Sequence, residues 1–221
     1  MRSQQSGFTL VEIAIVLVII GLLLGGILKG QELINSAKVK NLANDFRVIP
    51  TYIYAYQDKF RALPGDDPSA ATHMAGPPAA TPASTPAGKQ GNGVIDGAWN
   101  STTATDESFL FWQHVRLANL AAGPTDVTDT TYLPSNAVTG KIGISSMQTG
   151  QVEITGMTGT YQVCSTGILG KFVKQLDIQM DDGKTETGSM RAVADGAAVG
   201  TPAVATTAID EAAPYTVCMS F

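Results

Sequence analysis

Gly7-Phe8-Thr9-Leu10-Val11-Glu12 opens the stretch that decides how this chain is built. Over residues 8–28 the sequence stays apolar, broken only by Thr9, Glu12 and glycines. That is about 21 residues, roughly the length of a helix that crosses a bilayer. A core helix of that length in a water-soluble domain carries polar residues at helical period, and this run does not. Residues 1–7 form a short polar leader whose one charged side chain is Arg2. A secretory signal peptide would close its apolar core with a small-residue cleavage site. Here the run passes into Lys29-Gly30-Gln31-Glu32 instead. A plain single-pass anchor fits the hydropathy equally well.

Glu12 is the feature that an anchor does not need. A carboxylate in a membrane helix costs about 3 kcal/mol on insertion scales, so it usually has a function. Near a helix N-terminus the dipole favours negative charge. A cut after Gly7 would turn Phe8 into a new amine, able to pair with its own Glu12 or a neighbour's. In a low-dielectric bundle such a pair fixes axial register between subunits more than it adds stability. The local physics therefore points to self-assembly.

Gly7-Phe8-Thr9-Leu10-Val11-Glu12, with its short leader and the apolar run behind it, resembles the leader motif of type IV prepilins and type II secretion pseudopilins. The resemblance implies cleavage by prepilin peptidase between Gly7 and Phe8, N-methylation of Phe8, and an assembly salt bridge between Glu12 and the Phe8 amine of a neighbouring copy. It is strong over about the first 35 residues, which include the membrane-length run, and weakens beyond them. Many major pilins carry a proline where Lys29 stands here, and Gly21, Gly25 and Gly26 are the alternative source of helix flexibility. Glycine costs about 1 kcal/mol per helix position.

The net charge of −5 and 15% charged residues offer no electrostatic footprint for nucleic acid. Lys29, Lys38, Lys40 and Arg47 follow the apolar run, and on their own would place the C-terminal side in the cytoplasm. The leader motif and the cysteines imply export instead. The two cysteines, Cys164 and Cys218, lie in strand-like stretches. Outside the cytoplasm a disulfide is the natural state, and inside it two buried thiols are. The family resemblance implies the disulfide, which would close a loop of about 55 residues and stabilise by roughly 4 kcal/mol.

Residues 29–62 read as the amphipathic half of one long N-terminal helix. Leu42, Phe46, Ile49, Ile53, Tyr56 and Phe60 recur at spacings of three and four, the stripe of a helix packed on one side. Pro50 predicts a kink rather than an end. Leu63-Pro64-Gly65-Asp66-Asp67-Pro68 stops the helix with turn chemistry. Its phrase Ala62-Leu63-Pro64-Gly65-Asp66 also resembles a subset of prepilin-like proteins. A loop is expected over 70–105, its first part exposed and rich in Ala, Pro and Thr. Gly91-Asn92-Gly93-Val94-Ile95-Asp96-Gly97 shares glycine and acid spacing with a calcium loop. That alignment puts Gly88 and Trp99 where the first and the bidentate ligands belong, so a turn is the better assignment.

A second helix is expected at about 106–122, capped by Asp106, with Phe109, Trp112, Val115 and Leu120 inward. His114 on it is expected to pack rather than bind metal. Strands are expected at 141–144, 151–154 and 161–164, a short helix at 168–175, and a small-residue loop at 196–211 before a last strand at 215–221. Asp181-Asp182-Gly183 reads as a hairpin turn between strands at 176–180 and 189–193. Asp177, Asp181 and Asp182 are calcium candidates, weighed against a solvated turn.

The expected fold is α+β and pilin-like: a long N-terminal helix, membrane-spanning in its first half, packed on a C-terminal antiparallel sheet. Residues 63–221 form the globular domain. No catalytic motif is present, so an enzyme is not expected, and no cofactor is implied beyond calcium. The resemblance implies a structural subunit, a major or minor pilin of a type IV pilus-like filament, with a type II secretion pseudopilin as the alternative. A non-polymerising single-pass membrane protein with an extracytoplasmic binding domain is the further alternative. Implied partners are other pilin copies, prepilin peptidase, the inner-membrane assembly platform and, before assembly, lipid. The implied locations are the inner membrane first, N-terminus cytoplasmic, and then a periplasmic or cell-surface filament.

Overall fold

The structure, a computed structural model, describes residues 9–221. The leader at 1–7 and Phe8 lie outside the described residues. The chain divides between Lys38 and Val39 into two units.

The first helix, α1 (Leu10–Phe60), runs without a break through Pro50. Every large apolar side chain over residues 10–28 is exposed, Leu10 at 91% and Leu22 at 73%. By length and composition α1 is able to cross a membrane. In the second unit its buried residues are Val39, Leu42, Ala43, Phe46, Ile49, Ile53 and Tyr56. These sit at intervals of three and four, so one face is covered and the rest is not.

That face belongs to a core with α3 (Glu107–Leu117) and a four-stranded antiparallel sheet. The strands are β1 (Ile142–Ser146), β3 (Tyr161–Leu169), β6 (Pro214–Ser220) and β4 (Met190–Ala194), in the spatial order β1-β3-β6-β4. Phe46, Ile49 and Ile53 share one cluster with Phe111, Ile144, Val163, Ile168 and Val217. Helix followed by antiparallel sheet is the α+β arrangement, and its layout is pilin-like.

Several elements differ from the sequence expectation. A short helix, α2 (Ala70–His73), lies within the expected loop, and Ala70, Met74, Ala80 and Ala83 are buried there rather than exposed. Small side chains let that segment lie flat on its neighbours, and composition alone does not reveal such contact. The strand expected at 151–154 shrinks to β2 (Ile154–Thr155), which pairs in parallel with β5 (Thr201–Pro202) inside the expected 196–211 loop.

The strand expected at 176–180 is helix. The helix α4 (Gly170–Met180) buries Phe172, Val173, Leu176 and Asp177, and leaves Ile178 70% exposed. Leu-Asp-Ile-Gln-Met alternates like a strand, yet the buried pairs 172/173 and 176/177 repeat at four, the helical period. Asp181-Asp182-Gly183 therefore follows a helix and is not a hairpin turn. Asp106 occupies the start of α3, but its carboxylate accepts the Ser101 hydroxyl at 2.6 Å and caps no helix N–H.

Candidate functional site

At the start of α1, Thr9 and Glu12 form a reciprocal cap. Glu12 Oε2 accepts the Thr9 N–H and the Thr9 hydroxyl, both at 2.8 Å, and Thr9 Oγ1 accepts the Glu12 N–H at 3.3 Å. This is the Thr-x-x-Glu capping box. It orients the lone carboxylate of the run, and only Oε2 is engaged in those bonds. The sequence expectation paired Glu12 only with a Phe8 amine, although Thr three residues ahead of Glu is the local signal for this cap. Gly7 and Phe8, the expected cleavage and methylation residues and the expected partner of Glu12, lie outside the described residues.

The Leu63-Pro64-Gly65-Asp66-Asp67-Pro68 turn does more than end the helix. Asp66 Oδ1 accepts the N–H groups of Gly91 (2.5 Å) and Asn92 (3.2 Å), and Oδ2 accepts that of Gly93 (2.8 Å). The glycine loop thus wraps an anion with its amides, the opposite polarity to a loop that offers oxygens to calcium. Asp67, 1% exposed, accepts from the Tyr56 hydroxyl at 2.8 Å, the Ser69 N–H at 2.8 Å and His73 Nδ1–H at 2.7 Å. The His73 ring stacks on Phe60. Among the described residues no hydroxyl or thiol is hydrogen-bonded to the His73 ring.

His114 is fully buried. Its Nδ1 accepts the Gly65 N–H and its Nε2–H donates to Thr81 O, both at 2.9 Å, which defines the neutral tautomer. Burial holds it below the usual imidazole range. Gly65 sits at φ +93, and a side chain there would run into the Glu107 carbonyl, so this approach requires glycine.

Two buried acids stand out. Glu107 Oε2 accepts the Asp96 N–H at 2.8 Å, while Oε1 has no partner. Burial pushes its carboxyl up to about 8, reinforced by Asp66, Asp96 and Asp106 and opposed by the Asp96 N–H. Asp177, 1% exposed, is pushed by burial up to about 6, opposed by the backbone N–H groups of Gly183 and Lys184 and reinforced by Asp181 and Asp182. Asp181 accepts the Met190 N–H, and Asp182 accepts from Lys184 N–H and the Thr187 hydroxyl. Among the described residues no three acidic, imidazole or thiol groups converge as metal ligands.

Cys164 on β3 and Cys218 on β6 stand directly opposite in register and are joined as a disulfide. It ties the last strand to the centre of the sheet.

Residues 2–28 match the family model described as the prokaryotic N-terminal methylation motif. No curated protein and no solved structure matches the chain. The matched segment contains the leader, the Thr9–Glu12 cap and the exposed apolar part of α1. The chain therefore carries the prepilin-type cleavage and methylation signature, the mark of a pilin- or pseudopilin-like substrate of prepilin peptidase.

Proposed function

We propose that this chain is a structural subunit of a type IV pilus-like filament, polymerised through its N-terminal helix after removal of residues 1–7. The supporting observation is α1 itself: apolar side chains exposed on every side over residues 10–28, with one carboxylate, Glu12, held at the start by Thr9. Exposed apolar surface of that extent is stable only against lipid or other helices. The engaged Oε2 leaves the carboxylate a second oxygen for a neighbour's Phe8 amine. Methylation of Phe8 keeps that amine basic. A head-to-tail contact repeated without closing builds an open helical polymer.

In this proposal the subunit first rests in the inner membrane with its N-terminus cytoplasmic. Prepilin peptidase cuts it there, and an assembly platform extracts it into a periplasmic or surface filament. The mass of the mature N-terminal peptide tests the first step: methylated Phe8 is expected, and an intact initiator Met1 overturns it. Glu12→Val is expected to leave membrane insertion and the folded domain intact while abolishing incorporation into filaments. Normal incorporation of that variant would remove the salt bridge from the mechanism. Gly7→Leu is expected to block processing altogether.

A further inference from the structure

Asn92-Gly93 is the one Asn-Gly pair in the chain. Such a pair carries its own chemistry. The glycine nitrogen, with no side chain beside it, attacks the asparagine Cγ. The new C–N bond closes a cyclic succinimide, and the Cγ–Nδ2 bond breaks to release ammonia. Water then opens the ring at either carbonyl and leaves aspartate or isoaspartate. No oxidant, reductant or enzyme is required. The glycine N–H must give up its proton first, because an intact amide nitrogen is a poor nucleophile.

Both residues are exposed, so water reaches them. A Cβ built at Gly93 would meet nothing within 4 Å, so the surroundings are open. Yet the hydrogen bonds at this pair oppose the reaction. The Gly93 N–H donates to Asp66 Oδ2 at 2.8 Å. That carboxylate holds the proton that must leave, and its negative charge disfavours an amide anion beside it. Asn92 Oδ1 accepts the Val94 N–H at 2.8 Å, and Asn92 Nδ2 donates to Asp96 Oδ2 at 3.2 Å. Both ends of the side-chain amide are therefore held, the departing nitrogen included. The Asn92 N–H also donates to Asp66, through Oδ1 at 3.2 Å. One residue of the turn after α1 thus grips both backbone nitrogens of the pair.

Conversion would undo this arrangement. An aspartate at 92 has no N–H for Asp96, and it adds negative charge to a group that already includes Asp66, Asp96, Asp106 and Glu107. Isoaspartate also lengthens the backbone and displaces the Gly93 N–H from Asp66.

We propose that Asn92-Gly93 is a deamidation site held unreacted by Asp66, so that it converts only in copies whose 91–93 loop has left that carboxylate. The test incubates the full-length protein in detergent at neutral pH, with a parallel sample unfolded in urea. Digestion and tandem mass spectrometry locate and count the converted Asn92. The folded chain is expected to convert slower than the unfolded one by about tenfold or more, the size of one hydrogen bond to a charged group. Asp66→Asn keeps the size of the side chain but not its charge. With its disulfide and melting midpoint checked, it is expected to raise the folded rate by about tenfold. Hydrogen exchange of the wild-type Gly93 amide gives a measurement that needs no variant. As urea is raised, loss of its protection and conversion of Asn92 are expected together. Equal rates in folded and unfolded chain, a folded Asp66→Asn no faster than wild type, or conversion while the Gly93 amide stays protected each overturns the proposal.

Discussion

Residues 10–28 and residues 39–56 are two apolar stretches of one helix, and they meet their surroundings in opposite ways. In the first, leucine, isoleucine and valine point outward all round, and Glu12 is the sole charge. In the second, the buried apolar residues keep to one face, while Lys40, Asp45 and Arg47 share the helix with them. The second stretch satisfies its hydrophobic face within its own chain, against α3 and the sheet. The first has no buried side chain among the described residues, so its apolar surface demands lipid or other helices. The period of the pattern thus decides whether apolar side chains are buried within the chain or left for an external partner.

The largest expected effect separates the stretches directly. Phe46→Ala removes a fully buried ring and should destabilise the domain by about 3–5 kcal/mol. Leu17→Ala, at an exposed position, should leave the domain's unfolding midpoint unchanged. Denaturant unfolding in detergent checks both, and equal losses would mean that the two stretches are not energetically distinct. Next comes Cys164→Ser with Cys218→Ser. Opening a loop with sequence separation 54 should cost about 4 kcal/mol, with membrane association retained. A domain of undiminished midpoint would show that the sheet holds without its covalent tie.

A third effect appears only as pH dependence. The folded pKa of Glu107, about 8, lies above its ordinary 4.5, so the folded state binds more protons between those values. Stability should be greatest below the unfolded pKa and fall as pH rises toward 8. Asp177 adds to the same trend between 3.8 and about 6. Glu107→Gln keeps an acceptor for the Asp96 N–H and should flatten the melting temperature across that window. Thermal melts from pH 5 to 8 decide it, and an unchanged slope would remove Glu107 as the cause. The smallest effect is Tyr56→Phe, which takes one hydrogen bond from buried Asp67 and should cost about 1–3 kcal/mol. Titration of denaturant at neutral pH measures it.

Much of this protein is readable from local order. The membrane-length run, the 42/46/49/53/56 stripe and the cysteine-bearing strands are patterns of period and composition, and the structure places them in α1, β3 and β6. The Thr9–Glu12 cap is equally local, since three residues separate donor and acceptor. Residues 176–180 show where local order misleads. Alternation suited a strand, but burial of Phe172, Val173 and Leu176 against the sheet outweighed it, because strand propensity mostly reflects packing partners.

By itself, the sequence determined the exposed apolar helix, its single carboxylate and the α+β order, because each depends on neighbours a few positions apart. Only the tertiary structure decided that Asp66 holds the 91–93 loop and that Glu107 and Asp177 are buried acids. Those properties arise from desolvation and from contacts between residues far apart in the chain, and no short window of sequence contains them.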